Sequence, residues 1–182
     1  MREIYLRMLL RLASQPRGLA AKVIALLIGG SIFLALIPWL LIYFAGWVLP
    51  ERMIAAAGPA GTAAAWLSIA AGLFWLLWAV WTQLTIGEGT PNPAVPPRKL
   101  IVKGPFRLSR NPIQFGAMLY YFGLVMRNSG LAAGLVSLAV AFTLSSLYHR
   151  LVEEEELRRR FGAEYEEYRR ATPFLIPRLW RR

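Results

Sequence analysis

Two short constellations in this chain have residue types and spacing suited to chemistry. The first is Arg110-Asn111-Pro112, closing the stretch KGPFRLSRNP in which Lys103 and Arg107 add two more cations. The second is the carboxylate run Glu153 to Glu156, which follows an apolar stretch directly and is preceded by His149 and Arg150. Asn is a preferred helix N-cap and Pro is pre-organised for the first helical position, so a helix is predicted to start at Pro112. Such a start presents unpartnered N–H groups and the positive end of the peptide dipoles, where an anionic group is welcome. A capped helix with snorkelling arginines is the bland alternative. Adjacent carboxylates repel one another unless they face cations or a cationic ligand. On a solvated helix face, i to i+4 spacing would pair Glu154 with Arg158, Glu155 with Arg159 and Glu156 with Arg160, leaving Glu153 uncovered because position 157 is Leu. An anion-accepting helix start facing a carboxylate cluster suits a zwitterionic ligand that also carries a positive centre.

The elements that must position these groups are set by the bilayer. The chain has 182 residues, 57% of them hydrophobic, and the apolar residues come in blocks rather than at amphipathic spacing. Val23 to Val48 and Thr62 to Gly87 are free of charge, and each exceeds the roughly 20 residues a helix needs to cross hydrocarbon. Pro112 to Met126 reaches only about 22 Å as a helix. After the turn Arg127-Asn128-Ser129-Gly130 comes the uncharged run Leu131 to Tyr148, so the two form a helical hairpin. The prediction is an all-α integral membrane protein with four transmembrane helices. The first apolar run is too long for a signal-peptide core and has no small-residue cleavage site behind it.

The net charge of +11 follows the membrane rather than a nucleic acid. Arg2, Arg7, Arg11, Arg17 and Lys22 precede the first span; Arg98, Lys99, Lys103, Arg107 and Arg110 lie between the second and third; arginines from Arg150 to Arg182 follow the fourth. The other two loops hold only Arg52 and Arg127. Positive residues stay on the cytoplasmic side, so both termini and the middle loop are predicted cytoplasmic, in the cell (inner) membrane, with a preference for anionic headgroups. There is no basic-aromatic platform for nucleic acid. The chain has no cysteine and a single histidine, which argues against a metal site.

Residues 1–18 read as a short amphipathic helix on the inner leaflet, and 87–100, with four prolines, as a stiff extended connector. Residues 153–170 keep Leu157, Phe161, Tyr165 and Tyr168 on one helical face, a cytoplasmic helical extension of the fourth span. The division expected is 1–86, the amphipathic helix and two spans, and 87–182, the connector, hairpin and C-terminal helix.

From about residue 87 onward the chain resembles the isoprenylcysteine carboxyl methyltransferase family and its relatives, the phospholipid methyltransferases. The resemblance rests on GTPNPAVPP followed by Leu100, on GPFRLSRNP, on Glu153-Glu154 followed by Leu157, Phe161 and Gly162, and on EYEEY followed by Pro173. It implies a cofactor, S-adenosyl-L-methionine (product S-adenosyl-L-homocysteine), enclosed between the segment before the third span and the start of the cytoplasmic helix. On this chain the implied cofactor residues are Leu100, Val102, Gly104, Pro105, Phe106, Arg110, Asn111, Pro112, Glu153 and Glu154. Where many members carry Tyr, this chain has Phe106 and Gln114, and His149 and Arg150 compete for the place of an Arg that precedes the Glu pair in the carboxyl methyltransferases.

A sulfonium methyl is already activated, so such a site must mainly align a nucleophile and exclude water. For an amine acceptor, a Glu of the 153–154 pair, Glu154 in particular, or His149 is the candidate base; for a carboxylate, Arg110 or Arg150 is the candidate clamp. The expected acceptor is lipid-like or prenylated and enters sideways between helices. Two other classes stay open: a membrane NADPH-dependent reductase of the sterol reductase type, and a non-catalytic lipid-binding scaffold.

Overall fold

The chain alternates apolar runs with breakers, and each run becomes a helix. A computed structural model describes residues 2–14, 18–55 and 57–178; Met1, positions 15–17, position 56 and positions 179–182 lie outside the described residues, and with them the cationic position Arg17. The helices are α1 (Arg2–Ser14), α2 (Leu19–Ser31), α3 (Ile37–Val48), α4 (Pro59–Thr85), α5 (Pro112–Tyr148) and α6 (Glu154–Ala171), with no strand among the described residues. Three segments are long and apolar enough to cross a membrane: Leu19–Val48, Pro59–Thr85 and Pro112–Ala171. The first is continuous across a wide turn over Ile32–Leu36, closed by a hydrogen bond from the Ile37 N–H to the Ile32 carbonyl. Pro38 follows that turn, and its missing N–H makes a widened turn inexpensive there.

The described chain divides into two compact units. One comprises Gly30–Leu76 and Ile113–Ser145. Its core is Leu41, Ala45, Leu76, Ala117, Tyr121, Val125 and Ala133, while Trp39, Tyr43, Trp47, Trp66, Leu67 and Phe74 point outward. So many large apolar side chains facing outward are stable only where the solvent is lipid, and the helices then associate through close backbone packing. The glycines provide it. A Cβ at Gly72 would lie 2.7 Å from the Gly116 carbonyl oxygen and one at Gly123 2.6 Å from that of Ala65, so α4 and α5 touch backbone to backbone. The Ser68 hydroxyl donates to the Leu119 carbonyl at 2.8 Å, and Tyr120 to that of Leu34 at 2.9 Å.

Within this unit α5 is two helices. Gly130, at φ 89° and ψ 174°, breaks it. A Cβ at Gly134 would lie 2.9 Å from Met126 Cβ and 3.2 Å from the Phe122 ring, although residues 122 and 134 would be about 18 Å apart in a straight helix. The chain therefore reverses, as the turn at 127–130 predicts. Gly130 needs its positive φ and also lies against the Ala55 carbonyl oxygen, which a Cβ would approach to 2.2 Å.

The other unit comprises Met1–Gly29, Leu77–Pro112 and Ser146–Arg182. Its connector, 87–100, has no helix and is pinned at three points. Thr90 N–H bonds the Val95 carbonyl at 2.7 Å, the Asn92 amide donates to the Ala25 carbonyl at 3.2 Å, and Arg160 donates to the Pro97 carbonyl. A Cβ at Gly89 would lie 2.4 Å from the Pro97 nitrogen, so the two ends of the connector fold onto each other. The helix α1 docks on α6 through Glu3, whose two carboxylate oxygens take both terminal nitrogens of Arg159 at 2.8 and 3.1 Å.

Candidate functional site

The site is built inside this second unit, where three stretches of chain converge. A turn over Gly104–Arg107 starts from Gly104 at φ +59°, tucked against Thr82, and buries Pro105 and Phe106. Leu108 to Asn111 then run beside the C-terminal segment 173–178. The Arg110 N–H bonds the Pro173 carbonyl at 2.9 Å and the Arg178 N–H bonds the Leu108 carbonyl at 2.9 Å. The fully buried Ser109 hydroxyl donates to the Leu175 carbonyl at 2.7 Å and accepts from the Asn111 N–H at 3.1 Å. Helix α5 begins at Pro112 as predicted, but the Asn111 amide nitrogen donates to the Phe174 carbonyl at 2.7 Å.

The third stretch leaves the apolar run at Tyr148. From His149 to Glu153 the helix widens by one residue, the Glu154 N–H reaching back to the His149 carbonyl. Such turns re-aim side chains and are frequent at functional sites. The widened turn keeps His149 and Glu153 paired and presents Glu154 to Arg110, with which it forms an ion pair. Arg169 lies 3.6 Å from the other Glu154 oxygen. Helix α6 is interrupted at Gly162 (φ 53°, ψ −123°), and beyond it Tyr165, 1% exposed, brings its hydroxyl to 3.4 Å from Arg110. Tyr168 donates to the Phe106 carbonyl at 2.7 Å.

These groups enclose a cavity of about 20 Å³ lined by Arg110, Asn111, His149, Glu153, Glu154, Leu157, Tyr165 and Tyr168. The two constellations of the sequence therefore meet, 44 residues apart in the chain. Of the expected i to i+4 pairs, Glu155 with Arg159 and Glu156 with Arg160 form. Glu154 instead takes Arg110, and Arg158 turns to Glu155 and Glu166. Glu153, outside that pattern, takes His149.

Leu100, Val102, Gly104, Pro105, Phe106, Pro112 and Arg150 do not line the cavity. Val102 and Arg150 are exposed, and the Arg150 guanidinium lies 5.0 Å over the Phe174 ring, which Arg110 also faces at 5.6 Å. Sequence reasoning missed Ser109, Tyr165, Tyr168 and Phe174 as site groups. The helical face of Leu157, Tyr165 and Tyr168 was the only available signal, and it reads as packing; Phe174 carried none.

Burial pulls the His149 imidazole down, but Glu153 beside it more than reverses this and leaves it above its ordinary value. Burial likewise pushes Glu153 up, and His149 reverses that, leaving the carboxyl below its ordinary value. Burial, with Glu154 nearby, pushes the Tyr165 phenol up to about 12, so it stays neutral. Burial also raises Glu156, against the pull of Arg160.

The donor set suits a zwitterion with a cationic centre. The buried Arg110 Nε–H has no acceptor among the described residues and is free to take a carboxylate, while Glu153 and Glu154 face the same space. The volume admits about one water, and a nucleoside-sized ligand needs a few hundred Å³. The cavity as it stands is therefore smaller than such a ligand. No group of three or more His, Cys, Asp or Glu able to hold a metal occurs among the described residues.

An all-helical chain with membrane-length segments and a buried polar cavity is an integral membrane protein of the helical type. Residues 89–164, which hold most of the cavity's lining, match the family model described as phospholipid methyltransferase. The chain is also 34% identical over 77 residues to methanethiol S-methyltransferase 2 of Bradyrhizobium diazoefficiens, a stretch covering 42% of this chain and 28% of that protein. The chain thus spans less than a third of the length of that curated relative. No solved structure matches the chain.

Proposed function

We propose that the chain is an integral membrane methyltransferase using S-adenosyl-L-methionine, with a lipid-like acceptor held at the inner leaflet. The observation that carries this reading is the cavity itself: within a methyltransferase-family segment, Arg110, Asn111, Glu153 and Glu154 converge on one space and Arg110 keeps an unused buried donor. Arg110 and Asn111 would hold the carboxylate of the cofactor, and Glu153 and Glu154 its cationic and hydroxyl groups. The bound cofactor supplies an activated methyl on a sulfonium. The residues around it orient and exclude water: Tyr165 and Leu157 wall the cavity, and Ser109 and Tyr168 fix the backbone on either side. His149, held by Glu153, is the group able to accept a proton from an amine or thiol; Arg150, exposed and stacked on Phe174, is the group able to meet an anionic acceptor head.

The reading includes four spans with both termini cytoplasmic, supported by the reversal at Gly130 and by the placement of the arginines. It assigns 87–182 to the cofactor and 1–86 to anchoring, with α1 as the amphipathic element and α6 as a cytoplasmic extension. Isothermal titration of the solubilised protein with S-adenosylhomocysteine tests it. Asn111→Leu, and Glu153→Ala with Glu154→Ala, should each weaken binding by roughly 1.5–3 kcal/mol, the worth of a charge-assisted hydrogen bond. Unchanged affinity in both would leave Arg110 and Asn111 as helix-start residues only.

The likeness to a methanethiol S-methyltransferase favours a second acceptor, a small thiol. Incubation with methyl-labelled S-adenosylmethionine, a total lipid extract and a water-soluble thiol separates the two. Label in the organic phase supports the lipid acceptor; label only on the thiol replaces it.

A further inference from the structure

Helix α1 offers two kinds of surface. Leu6 and Leu9 are 1% exposed and face the protein, and the bidentate grip of Glu3 on Arg159 fixes the helix's rotation. Ile4 and Met8, one turn apart, are 71% and 47% exposed, and Arg7 and Arg11, also one turn apart, stand beside them. These four residues line an open cleft of about 290 Å³ whose surface is mainly apolar. Neither guanidinium has a carboxylate or hydrogen-bond partner among the described residues. The helix also meets the end of the apolar run through Tyr5, whose hydroxyl lies 3.4 Å from that of Tyr148, the last residue of that run. Arg7 and Arg11 therefore stand on a helix held beside the end of that apolar run.

We infer that this cleft on α1 is a binding site for one anionic phospholipid, its phosphodiester between Arg7 and Arg11 and the start of an acyl chain on Ile4 and Met8. Planar guanidinium forks match phosphate oxygens, and the apolar pair matches only a phosphate that carries a chain. A zwitterionic headgroup places a cation where two cations already stand, so the site selects for net negative charge. The inference is independent of the methyltransferase reading.

The test uses the full chain in a neutral detergent and three probes: dihexanoyl phosphatidylglycerol, dihexanoyl phosphatidylcholine and glycerol 3-phosphate. Bimane attached through Met8→Cys, in a protein with no other cysteine, reports apolar contact by a blue shift. Phosphatidylglycerol is expected to bind about tenfold or more tighter than phosphatidylcholine at low salt, with the shift, and the gap should close at high salt. Glycerol 3-phosphate should give no shift. Arg7→Gln with Arg11→Gln should abolish the preference while the helical circular dichroism is unchanged. Equal binding of the two lipids, an unaltered preference in the arginine variant, or glycerol 3-phosphate binding as tightly as the lipid would each overturn the assignment.

Discussion

Arg110 and Glu154 form an ion pair whose side chains are only 12% and 13% exposed, joining the residue two before α5 to the first residue of α6. Arg110 faces no other carboxylate in the described ion pairs, whereas Glu154 has Arg169 as a second, more distant partner. Removing one member of a buried pair leaves an uncompensated charge, while replacing both by apolar groups removes the desolvation cost as well. Glu154→Gln is therefore expected to cost about 3 kcal/mol of stability. Arg110→Met with Glu154→Leu should cost less than either single change. Thermal melting of the purified variants measures this, and additive losses would mean the pair contributes nothing as a pair.

His149 is the chain's one histidine, so its titration can be followed without assignment by NMR of histidine-labelled protein. Its value is raised and that of Glu153 lowered. On the imidazole side the stabilisation is complete below the ordinary 6.5 and is lost as pH rises through the raised value. On the carboxylate side it is present above the ordinary 4.5 and lost as pH falls through the lowered value. His149 should titrate above 6.5 in the native chain, and Glu153→Gln should bring it below that value, because burial then acts with little opposition. A midpoint that does not respond to Glu153→Gln would show that the pairing does not govern His149.

The segment 172–178 lies beside the site, holding Leu108 to Asn111 by four hydrogen bonds. Leu108→Cys with Arg178→Cys, neighbours across the 2.9 Å backbone bond, should cross-link in this otherwise cysteine-free chain. The oxidised form is expected to lose S-adenosylhomocysteine binding by at least tenfold, or about 1.4 kcal/mol. Reduction should restore it. Equal binding by both forms would show that the cofactor site is reached without moving this segment.

The topology proposed rests on the reversal at Gly130 and on the placement of the arginines. Reporter fusions at residues 57 and 129 should both report the outside, and one at residue 95, in the connector, the cytoplasm. A cytoplasmic signal at 129 would put Arg110 and Glu154 on the outer face of the membrane and overturn the cytoplasmic cofactor site.

Much of the architecture was legible because it depends on one-dimensional quantities. The length of an uncharged run against the thickness of hydrocarbon set the helices at Leu19–Val48 and Pro59–Thr85, and Asn-Pro set the start of α5 to the residue. Gly130 marked the reversal because no other residue adopts its backbone conformation without strain. The site was legible only as two separate charge patterns. Side-chain spacing along one helix assigned Glu154 to Arg158, yet Arg110 outcompetes it, since a partner in a low-dielectric niche gains more than one on a solvated face. Nothing local announces the widened turn at His149–Glu153, and the place of Phe174 depends on how the segment after α6 lies beside Leu108 to Asn111. Composition and periodicity determined a helical membrane protein with a polar hook and a carboxylate cluster. Tertiary structure decided which cation meets which carboxylate, and that the tail after α6 lies along Leu108 to Asn111, because those choices are settled by burial and by contacts between residues far apart in the chain.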